Sequence, residues 1–385
     1  MRKICIVTGT RAEYGILSGL MSLIKQNTDL QLQLIATNMH LSPEFGLTYK
    51  EIESDGFIID KKVNMLISSD TENATVKSMG LAMIGFADAF DDLKPDLVLI
   101  LGDRYEMLAV AASALIYKIP IAHLHGGEVT EGAYDDAIRH SITKMSHLHF
   151  TSTDEYKKRV IQLGENPERV FNVGALGVEN IKKSKLLSKA ELENSIKFSV
   201  GEKFFLVTYH PVTLEKHTVL EQVQALLNVL DKYPDYQIIF TSPNSDTDGH
   251  LILNCIEEYV NRNEGRAILF TSLGKIRYLS ALKYTSAVIG NSSSGIIEAP
   301  SFNIPTLNIG DRQKGRISAE SVYNCSTKEE DIFRGMEAIL SDEFREKTKN
   351  AENPYEKENT AENILNQLKF HSLDDIVQKS FYNIT

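Results

Sequence analysis

The stretch SAVIGNSSSGIIE, residues 286–298, decides how the chain is read: a short apolar run stops at Gly290-Asn291, three serines follow, and an apolar segment resumes. A buried strand running into small hydroxylated residues that open a helix is a building unit of parallel sheets. The helix's free N–H groups and the hydroxyls beside them suit an anion such as a diphosphate. Capping a helix takes one serine, which leaves two more and two flanking glycines unexplained. Glu298 lies one turn further on, where a carboxylate would repel phosphate but could accept both hydroxyls of a ribose.

Outward from this stretch, apolar runs alternate with helix-period segments along the chain. The second half adds FFLVTYH, YQIIFTS, RAILFTS and PTLNIG; the first half has KICIVTG, LQLQLIAT, PDLVLILG, IPIAHLH, HLHFTS and RVFNVG. Between them lie amphipathic stretches such as YGILSGLMSLIKQ and RYEMLAVAASALIY. Near-continuous apolar strands separated by helices imply parallel sheets covered on both faces. At 385 residues the chain exceeds one comfortable core. The expected fold is therefore α/β, with two doubly wound Rossmann-like domains facing one another across a cleft. The expected boundaries are 1–177 for the first domain, 178–200 for a Lys/Glu/Ser-rich linker and 201–365 for the second domain. The tail, 366–385, is expected to pack back on the first domain.

Composition narrows the function classes. A hydrophobic fraction of 42% and a charged fraction of 24% are those of a globular chain. The net charge of −11 argues against a broad nucleic-acid footprint, though local arginines can still hold a small anion. Three scattered cysteines fit a reducing cytoplasm and give neither a disulfide framework nor a zinc site. The first apolar run soon meets polar residues, so neither a signal peptide nor a membrane span is expected.

In doubly wound sheets ligands sit outside the carboxyl ends of the strands. The first strand is followed by Gly9-Thr10-Arg11, neither GxGxxG nor a Walker loop, yet suited to phosphate through N–H donors and a guanidinium. Asp103-Arg104 follow LVLILG; they are a helix cap with a surface charge, or Asp103 is a proton-transfer or sugar-hydroxyl residue. The run IPIAHLH brings His123 and His125, followed by the paired Gly126 and Gly127 for close backbone approach, Glu128, Glu131, Asp135, Asp136, Arg139 and His140. Spacing puts Asp136, Arg139 and His140 on one helical face, opposite an apolar stripe of Ile138, Ile142 and Met145. His147 and His149 alternate along the next strand and read as structural. In the second half His210, fixed by Pro211, could serve as acid, base or pyrophosphate donor. Arg312, Lys314 and Arg316 form a basic loop after PTLNIG.

Together GTRAEYG, MHLSPEFG, LGDRYE, HLHGGE, DDAIRHSITKMSH, HPVT, GNSSSGIIE and GDRQKGR, in that order over residues 1–365, resemble the hydrolysing UDP-N-acetylglucosamine 2-epimerases of bacterial sialic acid synthesis. The resemblance implies a glycosyltransferase-B-like pair of domains. It also implies conversion of UDP-N-acetylglucosamine and water to N-acetylmannosamine and UDP through a glycal intermediate. On it, Asp103, Asp135 and His210 fall on acid, base or sugar-positioning sites, with His125 and Glu128 as further catalytic candidates. Ser292, Ser293 and Glu298 fall on nucleotide positions beside Arg11 and Arg312, and His40 on the sugar side. Arg104, Glu131, Asp136, Arg139, Asn244, Ser294 and Gly295 complete the candidate binding set. Many relatives carry glutamate where this chain has His125, which leaves open which group moves which proton.

The same resemblance admits a UDP-2,4-diacetamido-trideoxy sugar as substrate, and the fold admits a glycosyltransferase. DDAIRH and HPVT disfavour a non-hydrolysing epimerase, and the retained acids disfavour a silent nucleotide-sugar sensor. The expectation is a cytoplasmic homo-oligomer, dimer or tetramer, that binds a UDP-sugar and UDP, with no metal, no cofactor, no nucleic acid and no membrane.

Overall fold

The structure, a computed structural model, describes residues 1–67, 71–131, 133–212, 219–243 and 249–384. Asn244 and the Thr213 of HPVT lie outside the described residues. Two compact units emerge. The first is 1–128, 135–180 and 355–385; the second is 129–134 and 181–354.

The first unit holds strands β1 (Arg2–Thr8), β2 (Leu30–Thr37), β3 (Lys61–Val63), β4 (Leu97–Leu101), β5 (Ile121–Leu124), β6 (Leu148–Thr151) and β7 (Val170–Asn172). All pair in parallel, in the order β3-β2-β1-β4-β5-β6-β7. Helices bury one stripe each on either face: Leu17, Leu20, Met21 and Ile24 on one side, Phe86, Phe90, Val110 and Ala114 on the other. The order reverses between β1 and β4, the switch point at which doubly wound sheets bind ligands. The second unit repeats the plan with β8 (Phe204–Thr208), β9 (Gln237–Thr241), β10 (Ala267–Phe270), β11 (Ala287–Gly290), β12 (Thr306–Ile309) and β13 (Val322–Cys325), ordered β10-β9-β8-β11-β12-β13. Two parallel α/β Rossmann-like sheets are thus present. Among the described residues, no helix is long and apolar enough to cross a membrane.

Three expectations about the chain's course need correction. The presumed linker 178–200 is largely helical, Leu176–Lys183 and Lys189–Ile196, the latter opened by a Ser188–Glu191 capping box. Its Leu192 and Ile196 are buried in the second unit's core. The second domain also ends earlier than 365, since Tyr355 onward belongs to the first unit. There the Tyr355 carbonyl accepts the Ala175 N–H at 2.9 Å, and the helix Thr360–Phe370 buries Ile364 and Leu368 in the first core. Finally, residues 129–134 lie in the first half of the sequence but belong to the second unit.

The tail is held by charge as well as packing. Lys379 Nζ donates to both oxygens of Glu165, at 2.9 and 2.8 Å, and to the carbonyls of Lys144 and Ser146. Lys144 Nζ and His149 Nε2 complete the cluster, 2.6 and 3.0 Å from Glu165. Burial would raise the Glu165 carboxyl, but hydrogen bonds from His149, Lys144 and Lys379 outweigh it and bring its pKa down to about 2. A carboxyl depressed in the folded state contributes stability above its ordinary value of 4.5 and loses it as pH falls towards about 2. Glu165→Gln should therefore melt lower than the native chain at neutral pH, with the gap narrowing below about pH 4; an equal gap at pH 7 and pH 3 contradicts this.

Candidate active site

In the first unit the candidate residues collect behind β1, β4 and β5. Thr10 and Glu13 form a capping box: Glu13 accepts the Gly9 and Thr10 N–H groups at 2.7 and 3.2 Å. Burial, reinforced by neighbouring Glu106, raises the Glu13 carboxyl well above its ordinary value. Glu106 is wholly buried and paired with Arg104 Nε at 2.8 Å. A methyl group on Gly9 would meet Glu106 Oε1 at 2.6 Å, so a larger residue there would have to displace the buried Glu106 side chain. Arg11, expected at phosphate, is paired with Glu51.

His40 is fully buried, with Nε2 3.0 Å from Thr8 Oγ1 and Nδ1 2.8 Å from Thr48 Oγ1. Burial pushes its pKa down to about 3. A neutral ring with both nitrogens engaged ties the 38–48 loop to β1.

Arg139 is 1% exposed. The helix Asp135–Met145 buries Asp135, Arg139, Ile142 and Thr143 together, so Arg139 lies on the inward side and not opposite the apolar stripe. Its guanidinium pairs with Asp103, reaches Asp136 at 3.3 Å and donates to the Glu128 carbonyl at 2.9 Å. Asp136 also lies 3.5 Å from His140 Nε2. An arginine so placed holds Asp103, Asp136 and the Glu128 carbonyl together.

The HLHGGE turn is equally constrained. Gly126 and Gly127 make room for protein: a methyl on Gly126 would crowd His123 and Thr143, and one on Gly127 would sit 2.4 Å from the Tyr156 carbonyl. His123 spends its nitrogens on the Gly102 carbonyl and Thr143, and burial lowers its pKa to about 3. His125 adopts φ +64°, uncommon for a side-chain-bearing residue, and its Nδ1 lies 2.8 Å from Glu128 Oε1. Ser152 donates to the same oxygen at 2.8 Å. Glu131 is exposed and belongs to the second unit, where its N–H donates to the Lys314 carbonyl at 3.1 Å.

In the second unit Asn291 organises the strand ends. Its side chain accepts the His210 N–H at 2.7 Å and returns a bond to the His210 carbonyl at 2.8 Å. Its own carbonyl takes Arg312 Nη1 at 3.3 Å and Gln313 Nε2 at 2.9 Å. His210, the 292–294 serines and the Arg312 loop therefore share one anchor. Ser292 and Ser293 are half-buried; Ser294 Oγ accepts from Tyr278 OH at 2.7 Å, and burial, then Glu298, raises that phenol. The helix expected after the serines is one turn, Ser294–Ile297, continued as the 3-10 turn Ala299–Phe302 around Pro300. Gly295 packs on Thr306, whose hydroxyl donates to its carbonyl at 2.8 Å.

Sequence reasoning passed over Glu13, Glu106, Ser152, Asn291 and Gln313 as site-organising residues. Only Glu13 carries a local signal, the Thr-x-x-Glu spacing of a capping box. The others act through contacts distant in sequence.

Each parallel-sheet unit thus gathers charged and polar side chains behind its strands. Comparison with known proteins shows the family. The UDP-N-acetylglucosamine 2-epimerase family model matches residues 22–369. The chain is 47% identical over 384 residues, covering 100% of it and 99% of the relative, to a GDP/UDP-N,N'-diacetylbacillosamine 2-epimerase (hydrolyzing) of Campylobacter jejuni. It is 41% identical, over 100% of its length and 98% of the other, to the polysialic acid biosynthesis protein P7 of Escherichia coli. Its fold matches that of the Methanocaldococcus jannaschii UDP-GlcNAc 2-epimerase, solved with UDP-GlcNAc and UDP. The TM-score there is 0.78 at 21% identity, over 96% and 99% of the two chains. The chain belongs to the UDP-N-acetylglucosamine 2-epimerase family.

Proposed function

We propose that the chain is a hydrolysing 2-epimerase of a UDP-linked 2-acetamido sugar, with the 2,4-diacetamido-trideoxy sugar N,N'-diacetylbacillosamine as its substrate. The observation that carries this reading is the end-to-end likeness at 47% identity to a relative named for that reaction. The first unit's acid and imidazole groups supply the chemistry it needs. A base takes the weakly acidic proton from carbon 2 as the bond from carbon 1 to the diphosphate oxygen breaks, and UDP leaves with the bonding pair. Water then adds its oxygen to carbon 1 of the glycal, and a proton returns to carbon 2 from the opposite face. The products are the free 2-epimeric sugar and UDP. Asp103, His125 and Asp135 are the groups assigned to proton transfer. His210, Ser292, Ser293 and Arg312, anchored on Asn291, are assigned to the departing diphosphate.

A second reading, UDP-N-acetylglucosamine giving N-acetylmannosamine for sialic acid synthesis, is favoured by the 41% likeness to the polysialic acid protein. Proton NMR of each UDP-sugar incubated with the enzyme in heavy water separates the two. The expected result is free UDP and a 2-epimer carrying deuterium at carbon 2, formed faster from the diacetamido sugar. Preference for UDP-N-acetylglucosamine transfers the assignment to the second reading, and product without the label rules out abstraction at carbon 2.

A further inference from the structure

We infer that His125 moves its proton through Nε2, and that Glu128 and Ser152 are positioning residues that hold the imidazole in the Nδ1–H tautomer. The inference rests on the epimerase reading for the identity of the proton moved, but its structural basis is independent of it. Nδ1 faces a carboxylate oxygen at 2.8 Å, and Ser152 Oγ donates to that same oxygen at 2.8 Å. An ionised carboxylate only accepts, so the proton on that side of the ring belongs to Nδ1. Nε2 then carries the lone pair. It is buried and has no hydrogen-bond partner among the described residues. A buried polar atom left so is costly unless function requires it.

Position separates His125 from the other histidines. His40 and His123 have both ring nitrogens engaged. His140 and His149 also leave one buried nitrogen each without a partner, but His140 stands on the helix Asp135–Met145 with Nε2 3.5 Å from Asp136, and His149 lies inside β6 with no exposed surface. His125 stands just past the carboxyl end of β5, and its side chain keeps 11% exposure. Its φ of +64° is held by its own N–H bond to the Phe150 carbonyl at 2.9 Å. A strained backbone over-determined by its surroundings is a recurrent property of functional residues. Glu128, 1% exposed and directed at Nδ1, acts through His125 and not on the sugar. The charged and titratable groups around the dyad are Glu128 itself, His123 of β5, Arg139 on the Glu128 carbonyl and Arg159 on the Gly127 carbonyl.

The first test needs no variant in the decisive state. In the full chain labelled with nitrogen-15 histidine, the His125 signals, assigned by their loss in His125→Gln, are expected to show a protonated Nδ1 and a bare Nε2 at neutral pH. A wild-type ring protonated on Nε2 overturns the inference. The second test is the acid limb of kcat/KM, below which the base is protonated. Glu128→Gln keeps an acceptor but removes the charge that favours imidazolium, so the limb should move to lower pH and kcat should fall about 10–100-fold. Ser152→Ala takes one donor from the carboxylate, which strengthens its hold on imidazolium and should move the limb to higher pH. Limbs unmoved in both variants would mean Glu128 and Ser152 serve folding alone. Should Glu128→Gln fail to fold, the wild-type tautomer and Ser152→Ala decide. Absence of epimerised product with the tautomer as expected would defeat the functional reading and leave the ring's orientation standing.

Discussion

Arg139→Met is expected to lower turnover at least ~100-fold, the scale of a lost acid–base function, and to reduce stability by about 1–3 kcal/mol. Methionine fills much of the arginine stem's volume but offers nothing to Asp103, Asp136 or the Glu128 carbonyl. Removing one partner of a buried pair can cost about 3–5 kcal/mol. Here the carboxylates left behind keep 22% and 29% exposure, so water repays part of the loss. The catalytic effect should be the larger, because Asp103 loses the group that fixes its carboxylate. Urea unfolding alongside steady-state kinetics checks both, and a variant with native turnover would show that Asp103 needs no such support.

Gly290→Ala should be harsher on the fold, by at least ~4 kcal/mol, beyond the usual range of single substitutions. Gly290 ends β11 at φ +129°, and an added Cβ would lie 1.9 Å from the backbone carbonyl oxygen of Thr208 on neighbouring β8. Backbone cannot swing aside as a side chain can. The next residue is Asn291, so any accommodation would also displace its clamp on His210. Insoluble protein or a transition lowered by many degrees is the expected outcome; a melting temperature near that of the native chain would refute it.

The strand-and-helix alternation was legible because buried parallel strands such as LVLIL and FFLVT are apolar throughout. The two strands that sequence reading passed over, β3 and β13, are edges of three and four residues, KKV and VYNC, half-exposed and carrying no apolar run. The positions of the candidate residues at strand ends were legible, because doubly wound sheets put chemistry after strands. Their packing was less so. Glycines that suggested room for a ligand make room for His123, Thr143 and the Tyr156 carbonyl. Arg139 looked like a polar-face residue because periodicity registers charge and not the distant Asp103 that compensates it. Ser152 and Asn291 carry no local pattern at all, since their partners lie 24 and 81 positions away.

The return of Tyr355–Thr385 to the first unit has a consequence for biosynthesis. Residues 1–180 leave the ribosome without the helix Thr360–Phe370 that closes the first unit's core, and residues 181–354, nearly all of the second unit, are made in between. At about 5–20 residues per second, that interval is on the order of ten to thirty seconds. The portion translated first is thus the last to be completed. Its unfinished apolar face must stay out of aggregates, or in a chaperone's keeping, until the closing helix arrives.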